Sequence, residues 1–137
     1  MRVDGQCHCG DIAFTAEIDE TAVTICHCTD CQTLTGTAFR VSAPAPAASL
    51  RFVAGTPKTY VKTAESGNRR AQGFCGRCGT PIYSATADTE PTSYGLRVGT
   101  LKQREALMPR QEIWCQSALG WMPRLSGTET FEREQTR

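Results

Sequence analysis

Most cysteines of this chain stand in three short motifs whose spacing suits a shared metal ion. The 137-residue sequence contains eight cysteines, and the motifs read CHCG from Cys7, CHCTDC from Cys26 and CGRCG from Cys75. Thiolates two or three residues apart can converge on one cation, whereas disulfides usually join distant segments. The N-terminal residues form no apolar signal segment, so we expect a cytoplasmic protein whose thiols stay reduced. The clustered cysteines are therefore predicted to be metal ligands.

The first and third motifs together predict a closed, structural zinc site. Cys75 and Cys78, followed by a glycine, have the spacing of a zinc knuckle, in which backbone N–H groups point at the first sulfur. Gly76 and Gly79 would supply the positive φ values that such a turn needs. The alternative is a plain turn that contains two cysteines by coincidence. The CHCG motif adds two more thiolates, and the predicted tetrahedral ligands are Cys7, Cys9, Cys75 and Cys78.

The middle motif leaves three thiolates and predicts a second, reactive zinc with an open coordination position. Its ligands are Cys26, Cys28 and Cys31. A fourth protein ligand is the alternative, and the candidates are Cys115, His8 and His27. We expect both imidazoles to lie beside the metals, with His27 either a proton shuttle or a solvated or backbone-bonded side chain. Spacing alone also permits an iron–sulfur cluster, but the division into four and three thiolates favours zinc.

Composition and charge exclude several classes of function. The formal net charge of +1 gives no basic field suited to nucleic acid, and no run of about eighteen apolar residues could span a membrane. Four arginines either offset the thiolates, bind an anionic ligand or lie on a solvated surface; they are Arg40, Arg69, Arg70 and Arg77. Trp114 and Trp121 either line a pocket or belong to the core.

Hydrophobic periodicity predicts an all-β, mainly antiparallel domain over residues 1–130, followed by a charged and frayed tail at 131–137. Alternating stretches rich in β-branched and aromatic residues recur along the chain, bounded by Gly, Pro or Asn. The segment APAPAAS (Ala43–Ser49) is predicted to be a loop, and ESGN (Glu65–Asn68) a turn. A short helix is expected after Cys28, capped by Thr29 or Asp30 and ended by Gly36.

Five motifs follow one another along the chain from about Gly5 to Trp121: GQCHCGDIAF, ICHCTDCQTLTG, GFCGRCGTPIY, VGTL and IWCQSALGWM. Together they resemble the glutathione-dependent formaldehyde-activating enzyme family, whose domain also occurs in centromere protein V. The resemblance implies a β-tent fold. It also implies a structural zinc at Cys7, Cys9, Cys75 and Cys78 and a catalytic zinc at Cys26, Cys28 and Cys31. The family's founding activity adds glutathione to formaldehyde and is classed as carbon–sulfur lyase chemistry.

Two residues depart from the family pattern. Lys102 stands where an aspartate often follows VGTL, and Glu112 stands where a histidine often precedes the late Ile-Trp pair. Neither is a predicted metal ligand. The sequence therefore predicts a zinc-dependent carbon–sulfur lyase-type enzyme, with two Zn²⁺ per chain, acting on a small thiol adduct such as glutathione plus an aldehyde. The alternative is a non-catalytic, zinc-braced β binding module.

Overall fold

The chain forms eleven β-strands and one short α-helix within residues 1–135, the part that this computed structural model describes. The strands are β1 (Arg2–Gln6), β2 (Ala13–Glu17), β3 (Thr24–Cys26), β4 (Arg40–Pro46), β5 (Arg51–Ala54), β6 (Lys58–Thr63), β7 (Arg69–Phe74), β8 (Pro81–Thr86), β9 (Ser93–Arg97), β10 (Gln111–Ile113) and β11 (Glu129–Thr130). The helix α1 covers Thr29–Thr35. Short 3₁₀ turns lie at Glu20–Ala22, Ala47–Ser49, Val98–Thr100, Arg104–Ala106 and Cys115–Ser117.

The strands form two sheets, and most neighbours are antiparallel. The smaller sheet has the order β1-β2-β5, and the larger has the order β11-β10-β3-β4-β9-β8-β7-β6. Strand β10 runs parallel to both β3 and β11, whereas the other pairings in the described chain are antiparallel. This architecture confirms the predicted all-β, mainly antiparallel class with little helix. In addition, none of the helices within residues 1–135 is long and apolar enough to cross a membrane.

The hydrophobic core lies between the two sheets because alternate residues of their strands point inward. Val3, Phe14 and Ala16 come from the smaller sheet, while Ala43 and Leu96 come from the larger one, and all five are buried. Gly5 is required on β1, since a Cβ there would overlap the ring of Phe14 on the neighbouring strand. The opposite face of the larger sheet is polar, and this face carries the candidate site described below.

The segment Ala43–Ser49 is not the predicted loop, because most of it belongs to strand β4. Proline cannot donate a backbone hydrogen bond, which normally excludes it from inner strands. Here the paired part of β3 ends opposite Ser42, so Pro44 lies beyond that neighbour. The carbonyl of Pro44 accepts from the N–H of Asp19, which shows that its backbone edge faces away from β9. The missing donor therefore costs no sheet hydrogen bond.

The predicted turn and helix are both present, with one correction. Glu65–Asn68 connects β6 to β7, and Gly67 in it has a φ of 90°. Helix α1 ends at Gly36 with a φ of 68°, as predicted. Its N-cap, however, is Cys28 rather than Thr29 or Asp30.

The described part of the C-terminal segment is hydrogen-bonded to the chain around Trp114. The backbone N–H groups of Trp114, Cys115 and Gln116 donate to carbonyls of residues 131–133 at 2.8–3.2 Å. Arg133 also forms an ion pair of 2.8 Å with Glu65. Residues 131–134 thus run back along the body of the protein, while positions 136–137 of the predicted tail lie outside the described residues.

Candidate metal centres

Four cysteines from two distant turns meet at one end of the molecule. Cys7 and Cys9 lie in the turn between β1 and β2, and Cys75 and Cys78 lie in the turn between β7 and β8. Their sulfur atoms all lie within 4.8 Å of one another, with 3.6 Å between Cys7 and Cys9 and 3.7 Å between Cys9 and Cys75. The structure therefore brings together all four residues predicted for the closed site.

Backbone donors point at the sulfurs of this four-cysteine cluster. The N–H of Ile12 donates to Cys7 Sγ at 3.2 Å, and the N–H groups of Arg77 and Cys78 donate to Cys75 Sγ at 3.4 Å. Such donors stabilise a thiolate, which is the form that binds metal. A hydroxyl donor on Thr80 and backbone hydrogen bonds lower the pKa of the Cys78 thiol to about 5.

Of the two glycines predicted to have a positive φ in this turn, only one has it. Gly79 has a φ of 80°, which the turn requires of it. Gly76 has no positive φ; a Cβ there would instead approach the side chain of Lys58 at 2.8 Å. Its small size, and not its backbone freedom, suits the site.

Three further cysteines meet around the N-terminus of helix α1. Cys26 ends β3, Cys28 caps the helix and Cys31 lies in its first turn. Their sulfurs also lie within 4.8 Å of one another, and the N–H of Cys31 donates to Cys28 Sγ at 3.3 Å. A helix N-terminus favours negative charge, so capping by a thiolate uses the same sulfur for the helix and for a metal. Sequence reasoning missed this cap because cysteine is not a usual capping residue.

The pKa values of the Cys26 and Cys31 thiols are shifted in opposite directions. Hydrogen bonds from the Cys26 and Cys28 thiols, with Arg40 alongside, lower the pKa of Cys31 to about 2 against the opposing effect of burial. Hydrogen bonds to Cys28 and Cys31, and burial, raise the pKa of Cys26. Three sulfurs held this close repel one another once they are all deprotonated. A cation at their centre removes that repulsion, so the donor set fits a soft metal ion.

No other cysteine, histidine, aspartate or glutamate ligand joins this three-cysteine cluster within the described residues. The thiol of Cys115 donates to the carbonyl of Glu112 at 3.6 Å. His8 is exposed on the turn of the four-cysteine cluster. His27 donates or accepts at Nε2 with Glu112 Oε1, 2.8 Å away. The three candidates for a fourth ligand therefore point elsewhere, and both imidazoles lie beside the clusters as expected.

His27 belongs to a buried polar network. It and Glu112 are each 1% exposed. Glu112 also accepts from Arg124 Nε at 3.0 Å and from the hydroxyl of Thr128. Burial alone would raise the pKa of Glu112, but hydrogen bonds from Thr128, His27 and Arg124 outweigh it and lower that pKa. Through Glu112, the network joins His27, which lies between Cys26 and Cys28, to Arg124 and Thr128. The ring of His27 is therefore neither solvated nor bonded to the backbone.

The three-cysteine cluster opens into a cavity of about 630 Å³ on the polar face of the larger sheet. Strand alternation places one row of side chains from five strands into it: Thr24, Arg40, Ser42, Arg70, Gln72, Ser84 and Arg97. Burial and the neighbouring Arg40 lower the pKa of Arg97 to about 9, which leaves its guanidinium protonated near neutral pH. Sequence reasoning missed Arg97 because no motif marks it and only the strand register brings it here.

The remaining predicted residues divide between site and surface. Arg40 and Arg70 line the cavity, whereas Arg69 pairs with Asp88 at 2.7 Å and Arg77 pairs with Asp11 at 3.1 Å. Trp114 is 8% exposed and lines the cavity. Trp121 is 73% exposed and belongs to neither the core nor this cavity.

The fold and the clusters define an all-β protein with two cysteine-rich candidate metal centres. The family model described as glutathione-dependent formaldehyde-activating enzyme matches residues 2–117, so the chain belongs to that family. A crystal structure of a Rhodobacter sphaeroides protein has a similar fold, with a TM-score of 0.57 and 22% sequence identity over 96% of this chain and 99% of that one. No curated protein matches the sequence significantly.

Proposed function

We propose that this protein is a zinc-dependent enzyme of the carbon–sulfur lyase type that acts on a small thiol adduct, such as that of glutathione with an aldehyde. The observation that supports this most strongly is the uneven division of seven sulfurs into a set of four and a set of three. The set of three faces a cavity large enough for a small peptide, whereas the set of four braces two turns. Family membership supports a thiol as the ligand.

In this proposal Cys26, Cys28 and Cys31 hold the reactive zinc, and Cys7, Cys9, Cys75 and Cys78 hold the structural one. Zinc in a three-thiolate site supplies a soft Lewis acid that favours the ionised form of a bound thiol. The overall reaction joins a thiol sulfur to the carbonyl carbon of an aldehyde and moves the thiol proton to the aldehyde oxygen. Because it is an addition, it needs no oxidant or reductant, and the reverse reaction is the cleavage of the same bond.

The chain's own side chains bind and orient the ligand. The cations of the cavity attract an anionic thiol, and Trp114 forms part of the wall beside the cysteines. The indole N–H of Trp114 donates to Glu134 at 3.1 Å, and the guanidinium of Arg133 lies 5.0 Å from its ring centre. These contacts hold the C-terminal segment over one side of the cavity. Orientation of this kind lowers the entropic part of the barrier to addition.

Exchange spectroscopy by NMR tests the activity directly. Reduced, zinc-loaded protein should accelerate the exchange between ¹³C-formaldehyde with glutathione and their hydroxymethyl adduct. Cys31→Ser should abolish that acceleration, and Cys115→Ser should retain it, because Cys115 lies outside both clusters. An unaccelerated exchange with loaded wild-type protein contradicts the enzymatic proposal. If glutathione nevertheless raises the melting temperature in that case, the protein is the non-catalytic binding module.

Two further expectations belong to this proposal. A cytoplasmic location suits seven thiolate ligands, since a reducing compartment protects them from disulfide formation. Zinc rather than iron suits an addition reaction without electron transfer, and elemental analysis of purified protein should find two equivalents of zinc per chain. Iron in its place contradicts the assignment.

A further inference from the structure

Three guanidinium groups face the cavity beside the three-cysteine cluster, and none of them forms a salt bridge with a carboxylate in the described part of the chain. They belong to Arg40, Arg70 and Arg97. Arg40 is only 6% exposed. The Nε atoms of Arg40 and Arg97 are buried and have no hydrogen-bond partner among the described residues. The Cys31 thiolate lies beside Arg40 and compensates its charge in part, whereas Arg97 hydrogen-bonds within this part of the chain only to neutral side chains. A buried charge normally requires compensation, so this arrangement points to an anionic ligand.

Neutral side chains hold these arginines in place without cancelling their charge. Arg97 donates to Ser42 Oγ and to Gln72 Oε1, both at 2.7 Å. Arg70 donates to Ser84 Oγ at 2.9 Å. Ser42 and Ser84 lie on strands adjacent to those of their arginines, and Gln72 lies two strands away from Arg97 on the same sheet face. The guanidinium groups are therefore pre-oriented. Pre-orientation reduces the entropy that a ligand must supply on binding.

The other charged groups of the cavity are an ion pair and one carboxylate. Lys62 pairs with Asp30 at 3.0 Å. Glu134 accepts from the indole of Trp114 but keeps its negative charge, which also acts on Arg70. With the zinc proposed above, the three thiolates retain one net negative charge, and Glu134 supplies a second. The three arginines exceed these by one positive charge, so the cavity favours a ligand with a negative charge.

We propose that Arg40, Arg70 and Arg97 form a carboxylate-binding subsite, and that the ligand is a small peptide-like thiol with at least one free carboxylate. This inference rests on the proposed function for the position of the ligand's sulfur. Cys26 pairs with Arg40 on the adjacent strand, and Arg97 lies on the strand after that, about 10 Å from β3 at the usual strand spacing. A peptide of two or three residues spans about 7–10 Å when extended. The guanidinium groups thus determine which thiols are accepted.

Isothermal titration of the zinc-loaded wild-type protein tests the subsite with glutathione and glutathione diethyl ester. Both probes keep the thiol, but the ester has lost its carboxylates. We expect the ester to bind at least ~10-fold more weakly, because charge-assisted hydrogen bonds to guanidinium groups are lost. Equal affinity for the two probes would overturn the subsite. This comparison needs no variant and so does not depend on a substitution being tolerated.

Variants then assign the effect to residues. Arg97→Met should reduce the affinity ratio between glutathione and its ester to about 3-fold or less. Arg70→Gln, at a less buried position, should reduce it in the same direction and serves if Arg97→Met does not fold. Arg69→Gln is the matched control, since Arg69 neighbours Arg70 in sequence but pairs with Asp88 on the surface. An unchanged ratio in folded Arg97→Met and Arg70→Gln would overturn the assignment.

S-methylglutathione separates this inference from the proposed function, because it keeps the carboxylates and blocks the sulfur. If the proposed function is correct, S-methylglutathione binds more weakly than glutathione. If the two bind equally while the ester remains weak, the thiol function fails and the carboxylate subsite stands. If the thiol matters and the ester is not weaker, the subsite fails and the thiol function stands.

Discussion

The two cysteine clusters differ in how far apart their ligands lie along the chain. The four-cysteine cluster joins turns that are separated by 66 residues between Cys9 and Cys75, so an ion there closes a large loop. The three-cysteine cluster draws all its ligands from six consecutive residues, Cys26 to Cys31. Closing a long loop restricts the unfolded chain strongly, whereas a local chelate restricts it little. The first cluster is therefore suited to stability and the second to chemistry.

The surroundings of the two clusters support the same assignment of roles. Around the four-cysteine cluster, backbone N–H groups from two turns converge on Cys7 and Cys75. Around the three-cysteine cluster, the supporting groups belong to the protein scaffold, above all the buried His27–Glu112 pair. We infer that the scaffold of the second cluster persists without its metal, whereas the two turns of the first cluster do not hold together without theirs.

Cys78→Ser should have the largest effect on stability. The side chain is exposed, so its replacement removes almost no packing and isolates the loss of a ligand. Structural zinc contributes about 10–16 kcal/mol in small zinc domains, which equals or exceeds a typical unfolding free energy of about 5–15 kcal/mol. We expect the variant to be largely unfolded, as judged by circular dichroism and by the loss of a cooperative melting transition.

The control for this prediction is Cys115→Ser, which removes a thiol that belongs to neither cluster. Its melting transition should remain cooperative. A folded Cys78→Ser protein with a nearly unchanged melting temperature would mean that the four-cysteine cluster does not stabilise the fold.

Glu112→Ala should have the next largest effect. It removes a buried carboxylate that receives hydrogen bonds from His27, Arg124 and Thr128. Breaking a buried charged pair in this way typically costs about 3–5 kcal/mol. We expect a lower midpoint in urea unfolding but a folded protein that retains the zinc of the four-cysteine cluster. Glu105→Ala, at an exposed position, is the control and should change stability by less than about 0.5 kcal/mol.

A smaller loss than about 1 kcal/mol for Glu112→Ala would show that this network does not support the three-cysteine cluster. A double-mutant cycle with His27→Ala sharpens the result, because a direct interaction makes the two losses non-additive. The cycle attributes the effect to the 2.8 Å contact between the side chains and not to general packing.

The cysteine clusters could be predicted from the sequence because the information is local. Cysteines two or three residues apart must lie close together in any fold, so their spacing identifies candidate ligands directly. Pairing Cys7 and Cys9 with Cys75 and Cys78 followed from counting thiolates, and the structure brings those turns together. The alternation of apolar residues likewise predicted strands without any knowledge of their partners.

The cavity could not be predicted because its residues come from separate strands. Arg97 meets Ser42 only through the register of β4 with β9, and Gln72 only through the order of strands across the sheet. A short motif specifies neither the register of two strands nor the order of strands in a sheet. The loop prediction for the proline-rich strand β4 is wrong for the same reason, since the strand's tolerance of Pro44 depends on where the neighbouring strand ends.

Cys31→Ser should have the smallest effect on stability, but it should abolish metal binding at the three-cysteine cluster. Because the ligands of the three-cysteine cluster are local, losing one should lower the unfolding free energy by only about 1–2 kcal/mol, mostly through altered packing at a buried position. We expect a cooperative melt, one equivalent of zinc in place of two, and no rise in melting temperature with glutathione. Cys115→Ser again serves as the control and should keep two equivalents and the rise. If Cys31→Ser unfolds as fully as Cys78→Ser, both ions brace the fold, and the division into a structural and a reactive centre fails.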